Sequence, residues 1–178
     1  MTYKTELIKS MNYLSKKKNT LFIGQSVLFS GNAIFNTLEQ VPKNKKIEMP
    51  VFEDVQAGFC TGLALQGFIP ICIYPRFDFL ILAMNQIVNH LDKIRLMSSK
   101  DFKPKVIIRT SIGSKNPLNG GVQHTQDYTK IFKSILTEIE LVRLINTKQI
   151  FNAYKKAYLR KDSKSTLIIE NGDSYNKK

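Results

Sequence analysis

Residues 49–74 read MPVFEDVQAGFCTGLALQGFIPICIY and contain the pattern that decides the fold. Small residues recur after Glu53, and Gly58 and Gly62 among them predict a helix that packs closely enough to require glycine. The apolar run Pro70–Tyr74 follows at once and predicts a short buried strand. A helix followed directly by a buried strand is the repeating unit of a parallel sheet covered by helices.

The same alternation extends in both directions along the chain. Strands are predicted at 20–23, 46–49, 70–74, 105–109, 141–145 and 166–170, with helices at 4–15, 32–40, from 53 onward, 79–97, 128–136 and 148–160. This order predicts a three-layer α/β fold with a mostly parallel sheet and helices on both faces. Neither an internal repeat nor an interdomain linker is visible, so residues 1–178 are expected to form a single domain.

Composition bounds the possible functions. The chain carries a net charge of +13, with 43% hydrophobic and 23% charged residues, which is typical of a globular protein. Its lysines are scattered over loops and element ends without interleaved aromatic residues, so a solvated basic surface is favoured over a nucleic-acid-binding module. No apolar run approaches the ~20 residues of a membrane span, and no signal peptide is present. A soluble cytoplasmic protein is therefore expected.

Self-sufficient catalytic motifs are missing from the sequence. It contains neither a phosphate-binding loop of the G-x-x-x-x-G-K-[ST] type nor a G-x-G-x-x-G fingerprint. Cys60 and Cys72 lack metal-ligand spacing, and His90 lies far from His124. One segment does attract attention, because residues 110–127 form a long aperiodic stretch that includes His124. Loops of this length inside a compact domain are often functional.

Five short motifs follow one another in register, and together they are more specific than any of them alone. They are Met49-Pro50-Val51-Phe52-Glu53, Gly67-Phe68-Ile69-Pro70, Phe77-Asp78-Phe79, Gln86-Ile87-Val88-Asn89 and Gln123-His124-Thr125-Gln126. In this order and spacing the chain resembles the pyrimidine-binding domain of the transketolase superfamily. It is most similar there to the beta subunit of pyruvate and branched-chain 2-oxo-acid dehydrogenases. The resemblance spans nearly the whole chain and is weak before residue 20 and after residue 135.

The resemblance implies thiamine diphosphate as cofactor and assigns roles to five residues. Glu53 would be the carboxyl that shares a proton with the aminopyrimidine ring, Phe79 would stack on that ring, and Val51 and Pro75 would line the same pocket. His124 would reach the reacting end of the cofactor. Without the resemblance, Glu53 reads as a helix-start acid, Phe79 as a core residue and His124 as a solvated loop residue.

Three departures from the family pattern affect these expectations. Gly24-Gln25-Ser26 stands where the family has Gly-Glu-Asp, which predicts an altered polar network. The loop Ser114–Gly121 is longer than in the dehydrogenase subunits, which leaves the substrate class open. Arg76 adds a positive charge beside the predicted pocket and would suit an acidic substrate.

The family binds the diphosphate through Mg²⁺ on a second domain, with a Gly-Asp-Gly motif and a downstream asparagine. This sequence contains no such motif and no transketolase-type C-terminal domain. We therefore expect no metal site on this chain and a separate diphosphate-binding, alpha-like subunit that supplies the Mg²⁺ ligands. The expected assembly is a heterotetramer with a self-pairing interface.

The sequence thus predicts the pyrimidine-binding subunit of a split thiamine-diphosphate enzyme that acts on a 2-oxo acid or a ketose. It would decarboxylate the substrate or transfer a carbonyl-containing fragment, without binding nucleic acid or membrane. Two alternatives remain open at this point: a subunit for transketolase-type ketol transfer, and a non-catalytic structural or regulatory partner of such an enzyme.

Overall fold

The computed structural model describes residues 1–116 and 118–176 and contains a six-stranded sheet. Its strands are β1 Thr20–Gly24, β2 Lys46–Glu48, β3 Ile69–Tyr74, β4 Ile107–Ile112, β5 Glu140–Arg143 and β6 Thr166–Asn171. They are arranged in the order β2-β1-β3-β4-β6-β5, and each neighbouring pair is parallel. The predicted parallel α/β fold is confirmed.

Helices cover both faces of the sheet. They are α1 Tyr3–Ser15, α2 Glu53–Leu65, α3 Phe77–Leu80, α4 Ile94–Met97, α5 Thr129–Ile135 and α6 Thr147–Leu159. Helices α1 and α6 pack with one core cluster, and α2, α3 and α5 pack with the other. Within the described part of the chain, no helix combines the length and apolarity needed to cross a membrane.

The strand residues divide between these two cores by simple alternation. In β3, Ile71 and Ile73 face the core on the α1 side, whereas Cys72 and Tyr74 face the core on the α2 side. All of these side chains are at most 1% exposed. A central parallel strand is buried on both faces, which explains why the sequence shows a continuous apolar run there instead of a polar alternation.

Two predicted helices differ from the observed structure. The segment predicted as one helix at 79–97 consists of α3, a 3₁₀ turn at Ile81–Ala83, a π-helical stretch at Asn85–Leu91 and α4. β-Branched residues lower helix propensity here, and the Asp92 amide donates to the Ile87 carbonyl five residues back at 2.9 Å. The helix predicted at 32–40 is only a 3₁₀ turn at Phe35–Thr37.

Asp92 connects this irregular segment to the chain before β5. Its side chain is fully buried and accepts hydrogen bonds from the backbone amides of Thr137, Glu138 and Ile139. The Thr137 hydroxyl and the Lys93 ammonium also donate to it, at 2.8 and 2.6 Å. Burial alone raises the pKa of this carboxyl, but the donors outweigh burial and hold the pKa below its usual value.

We expect Asp92→Asn to lower the free energy of unfolding by about 2–4 kcal/mol at pH 7, because an amide cannot accept from so many donors. A depressed folded-state pKa stabilises the fold above the unfolded value of about 4, and that contribution is lost as the pH falls through the folded-state pKa. The difference in the free energy of unfolding between wild type and variant should therefore be constant from about pH 5 to 8 and should shrink in more acidic solution. Urea unfolding across this range measures it. Exposed Asp101→Asn is the control, and an equal loss in that variant would contradict the assignment.

Candidate functional site

A cavity of about 470 Å³ lies at the carboxyl ends of the central strands. Ser26 follows β1, Pro75 follows β3, Ser111 is the next-to-last residue of β4, and Gly172 follows β6; all four line the cavity. In open parallel α/β sheets, ligands bind at this edge because the loops that leave neighbouring strands diverge there. The cavity is therefore where the fold places a binding site.

Glu53 lies next to this cavity, at the first position of α2. Its side chain is buried, with the residue 5% exposed, and Gln25, which lines the cavity, donates its amide Nε2 to Glu53 Oε1 at 3.0 Å. Oε2 accepts no hydrogen bond from any residue in the described ranges, so it remains available to a ligand. The Tyr74 hydroxyl donates to the backbone carbonyl of Glu53 at 3.0 Å. Burial raises the pKa of this phenol well above its usual value, so it stays a neutral donor that fixes the start of α2.

The loop that carries Gln25 is shaped by Glu48, a residue that the sequence analysis did not select. The carboxylate of Glu48 accepts the backbone amides of Ser26, Val27 at 2.8 Å and Leu28 at 2.7 Å. Three successive amides directed at one carboxylate define the turn after β1. The side chain that this loop directs at Glu53 is the neutral amide donor of Gln25.

Phe79 and His124 meet at the cavity although 45 residues separate them in sequence. Phe79 is half-buried in α3 and lines the cavity, and its ring centroid is 5.6 Å from that of His124, with 73° between the planes. Such an edge-to-face arrangement is favourable for aromatic rings. The Nδ1 atom of His124 is buried and has no hydrogen-bond partner within residues 1–116 and 118–176. An orphaned ring nitrogen of this kind is a candidate contact for a ligand.

Pro75 and Val51, the other predicted pocket residues, lie in different surroundings. Pro75 lines the cavity, and its carbonyl accepts the Ser111 hydroxyl at 2.8 Å, which ties the end of β3 to β4. Val51 is 80% exposed in the loop before α2 and does not line the cavity. Pro75 and Phe79 therefore line the cavity, Glu53 and His124 contact lining residues, and Val51 lies in the exposed loop before α2.

The loop that contains His124 is anchored by Arg76, which follows Pro75. Its Nη1 atom donates to the carbonyls of Gly113 at 3.0 Å and His124 at 2.9 Å. Gly120 passes so close that a Cβ atom there would lie 3.0 Å from Arg76 Nη1 and 2.9 Å from the Cβ of His124. Glycine is therefore needed at this position for the loop to close over the guanidinium group.

The fold and this cluster define a parallel α/β ligand-binding domain with a buried carboxylate and an aromatic wall at the strand ends. The chain belongs to the transketolase pyrimidine-binding domain family: the family model described as "Transketolase, pyrimidine binding domain" matches residues 9–178. This match covers more than nine-tenths of the sequence, and it confirms the family that the five motifs predicted.

Comparison with individual proteins agrees with this assignment. The chain is 31% identical over 94 residues to the 2-oxoisovalerate dehydrogenase subunit beta of Bacillus subtilis, a match that covers 53% of this chain and 28% of that protein. Its fold is similar to transketolase from Campylobacter jejuni, with a TM-score of 0.70 and 15% identity over 95% of this chain and 25% of that one. A structure described as "Split gene transketolase, inactive beta4 tetramer" gives a TM-score of 0.63 at 15% identity, over 97% and 52% of the two chains. The chain thus spans about a quarter to a half of the proteins it matches.

The residues at the cavity fit the aminopyrimidine half of thiamine diphosphate. Glu53 Oε2 is available to a ring nitrogen, and Phe79 supplies a flat apolar wall. The buried Nδ1 of His124 has no hydrogen-bond partner among the described residues and could bond to a polar group of a ligand. Within residues 1–116 and 118–176, no group of three His, Cys, Asp or Glu side chains is arranged to hold a metal ion. The fit therefore concerns the pyrimidine end of the cofactor.

Proposed function

We propose that this chain is the pyrimidine-binding subunit of a split thiamine-diphosphate enzyme acting on a 2-oxo acid or a ketose. The observation that carries the proposal is that Glu53, Phe79 and His124 are linked at one cavity at the strand ends. Phe79 lines the cavity, His124 packs against Phe79, and Glu53 accepts a hydrogen bond from the lining residue Gln25. In sequence these residues are spread over 72 positions, and only the parallel fold brings them together. Family membership fits the proposal. The proposed function itself is argued from these side chains, because a fold alone does not determine function.

In this proposal the bound cofactor supplies a thiazolium carbon that attacks carbonyl groups. Glu53 holds a proton at a ring nitrogen of the aminopyrimidine through Oε2, while Gln25 occupies Oε1 and fixes the carboxyl plane. The start of α2 also favours a negative charge at this position, because the helix dipole is positive there. Burial of the carboxyl excludes water that would compete for the shared proton.

Phe79 and His124 position the reacting partners. The ring of Phe79 would stack against the aminopyrimidine, and Pro75 would add to the apolar wall, with Val51 expected to contribute from the exposed loop before α2. His124 donates a hydrogen bond or a proton to the substrate from the loop that Arg76 anchors. These roles require the loop to remain closed over the cavity.

The diphosphate and its Mg²⁺ are held, in this proposal, by a diphosphate-binding, alpha-like partner subunit, with two copies of each chain in the assembly. Two comparisons support a partner: the B. subtilis relative is named as a beta subunit, and the tetrameric neighbour is described as the product of a split gene.

The surface around α2 has the composition of a protein interface. Residues 47–92 contain only one of the chain's 27 basic residues, Arg76. Along the same stretch, large apolar side chains are exposed at Phe52 (57%), Phe59 (40%) and Leu82 (62%). Interface cores are depleted of lysine and enriched in aromatic residues. We therefore propose that this face, called the α2 face below and defined by Phe52, Val55, Phe59 and Leu82, packs against other subunits.

Affinity purification of the tagged chain from its native cell tests the assembly. We expect a stoichiometric partner that carries a Gly-Asp-Gly motif with a downstream asparagine. Phe59→Glu should abolish recovery of this partner or lower it by at least about tenfold, because burying an unpaired carboxylate in an apolar interface costs several kcal/mol. Retained circular dichroism and an unchanged urea midpoint would show that the variant still folds.

Leu159→Glu is the matched control, because Leu159 is 53% exposed but lies on α6, among basic residues and on the opposite side of the sheet. It should co-purify with the partner as wild type does. Recovery of nucleic acid in place of such a partner, or equal recovery with Phe59→Glu and wild type, would contradict the proposed assembly.

A further inference from the structure

Arg76 is exceptional among the five arginines of the chain. Each of the other four has a guanidinium nitrogen within 3.4 Å of a carboxylate oxygen: Arg95, Arg109, Arg143 and Arg160. In the described part of the chain Arg76 has no carboxylate partner. Arginine is always ionised in proteins, so its positive charge is left without a counter-charge at the cavity.

The walls of the cavity do not supply a counter-charge. Among the described residues that line it, Arg76 is the only one with a formal charge. The polar side chains around it are neutral: Gln25, Ser26, Asn32, Ser111, Ser114 and Asn176. Glu53 is not itself a lining residue and its Oε1 is occupied by Gln25, so the lining around Arg76 carries a positive charge that attracts anions.

The guanidinium group of Arg76 is held in place while part of it stays free. Its Nη1 atom is committed to the carbonyls of Gly113 and His124, and the closely passing Gly120 confines it further. The Nε and Nη2 atoms donate to no residue within the described ranges. A planar guanidinium presents such donors in the geometry that matches two oxygens of a carboxylate or phosphate.

A second free donor is found among the lining residues. The Oδ1 atom of Asn32 accepts the backbone amide of Phe35 at 2.9 Å, which identifies Nδ2 as the donor end of this side chain. Nδ2 is buried and lacks a hydrogen-bond partner among the described residues. Buried donors without a partner are rare in native proteins, and a bound ligand is one of their ordinary explanations.

We propose that the cavity binds an oxyanion through Arg76 and Asn32, and that this anion is a second charged group of the substrate, a carboxylate or a phosphate ester. The identity of the anion as substrate rests on the proposed function; the anion site itself rests on the two free donors. Arg76 and Phe79 line the same cavity, and the Arg76 guanidinium bonds to the loop after β4 that carries His124. The enzyme would thus select substrates that carry a second charge.

Binding to the full chain alone tests the anion site without any partner or cofactor. Inorganic phosphate and succinate are titrated at constant ionic strength while the NMR signals of the arginine Nε–H groups are followed. We expect saturable shifts of the Arg76 signal with at least one of the two probes. In Arg76→Gln, affinity for that probe should fall by at least about tenfold, whereas Arg143→Gln, which removes the arginine paired with Asp127, should bind like wild type.

Paired substrates on the assembled enzyme test the role in selection and separate the two anions. One pair is 2-oxoglutarate and 2-oxopentanoate, and the other is xylulose 5-phosphate and xylulose. We expect kcat/KM to favour the charged member of one pair by at least about tenfold in wild type. Arg76→Gln should remove that preference, mainly by raising KM for the charged member.

The outcomes separate the two proposals. Arg76-dependent anion binding by the chain, in a complex that shows no thiamine-dependent turnover, would retain the anion site and overturn the proposed function. Turnover with no preference for charged substrates, or equal losses for both members of a pair in Arg76→Gln, would overturn the anion site and reduce Arg76 to a loop anchor.

Discussion

Replacing Glu53 with glutamine is expected to lower kcat of the assembled enzyme by about 10²–10⁴-fold, the usual contribution of a positioned acid-base group. Glutamine has nearly the same shape and can still accept the hydrogen bond that Gln25 donates to Glu53 Oε1. It cannot hold a shared proton at the position of Oε2. The loss should therefore fall on turnover, with a smaller effect on the affinity for the cofactor.

Asp54→Asn provides the matched control for this experiment. Asp54 is the next residue in the first turn of α2, so both substitutions remove one negative charge from the same helix end. That shared effect on stability is about 0.3–1 kcal/mol. The carboxylate of Asp54 accepts from the Gln86 amide at 3.4 Å, away from the cavity lining. Asp54→Asn should therefore keep turnover within about threefold of wild type, because it removes no group from the cavity.

Steady-state kinetics with saturating thiamine diphosphate and Mg²⁺, together with calorimetric titration of the cofactor, measure the two effects separately. Turnover near the wild-type value in Glu53→Gln would show that Glu53 is only the acid at the start of a helix. Equal losses in Glu53→Gln and Asp54→Asn would show that the charge at the helix end, and not the proton at Oε2, is what matters. Either result would contradict the proposed role.

The sequence predicted the positions of the site well where motif and strand boundary agree. Pro75 and Phe79 follow a strand whose apolar run is unmistakable, so their place at the carboxyl edge of the sheet follows from the parallel fold. His124 was selected from a motif in a long loop, and the loop does return to the cavity. The catalytic roles of these residues stay predictions.

Contacts between distant segments could not be predicted. Gln25 and Glu53 are 28 residues apart, and the free amide of Asn32 depends on the turn that replaces the helix predicted at 32–40. Nothing in the local sequence marks these contacts, because side chains such as these are ordinary surface residues in most proteins. They become informative only once the fold has buried them.

The end of β4 shows the same limit. The sequence predicted a strand at 105–109 from the apolar residues Val106, Ile107 and Ile108. The strand continues to Ile112, and Arg109 is fully buried because Glu170, 61 residues later on β6, neutralises it. A charged residue in a strand can be buried when an opposite charge neutralises it. The local sequence does not reveal that partner.

This buried pair leads to the largest expected effect on stability. Arg109 Nε and Nη2 donate to the two oxygens of Glu170 at 2.7 and 3.1 Å, and the hydroxyls of Tyr154 and Tyr175 donate to the same carboxylate. Burial alone lowers the pKa of Arg109, but the charge of Glu170 outweighs it and raises that pKa above its ordinary value. Burial, and then the charge of Glu170, raises the pKa of both phenols well above the usual value.

Glu170→Gln should lower the free energy of unfolding by about 3–5 kcal/mol, because it leaves a buried guanidinium without a counter-charge. In glutamine an NH₂ group replaces one carboxylate oxygen, so it would face the donors that bond to that oxygen in the wild-type protein. Urea unfolding of the chain at pH 7 measures the effect. Glu140→Gln is the control: Glu140 is paired with Lys156 and Arg160, but its side chain is 31% exposed, and the loss expected there is at most about 1 kcal/mol.

A double substitution distinguishes the lost charge from lost packing. If the cost of Glu170→Gln comes from the stranded charge, Arg109→Met in the same chain should restore part of the stability, so that the double variant is more stable than the sum of the single losses predicts. Additive losses would instead mean that the two side chains act independently. Ser111, which pairs in register with Glu170 across β4 and β6, donates its hydroxyl to the carbonyl of Pro75 at the cavity wall. The ion pair therefore sits directly behind the carboxyl ends of the strands that form the cavity, and weakening it should disturb the site as well as the fold.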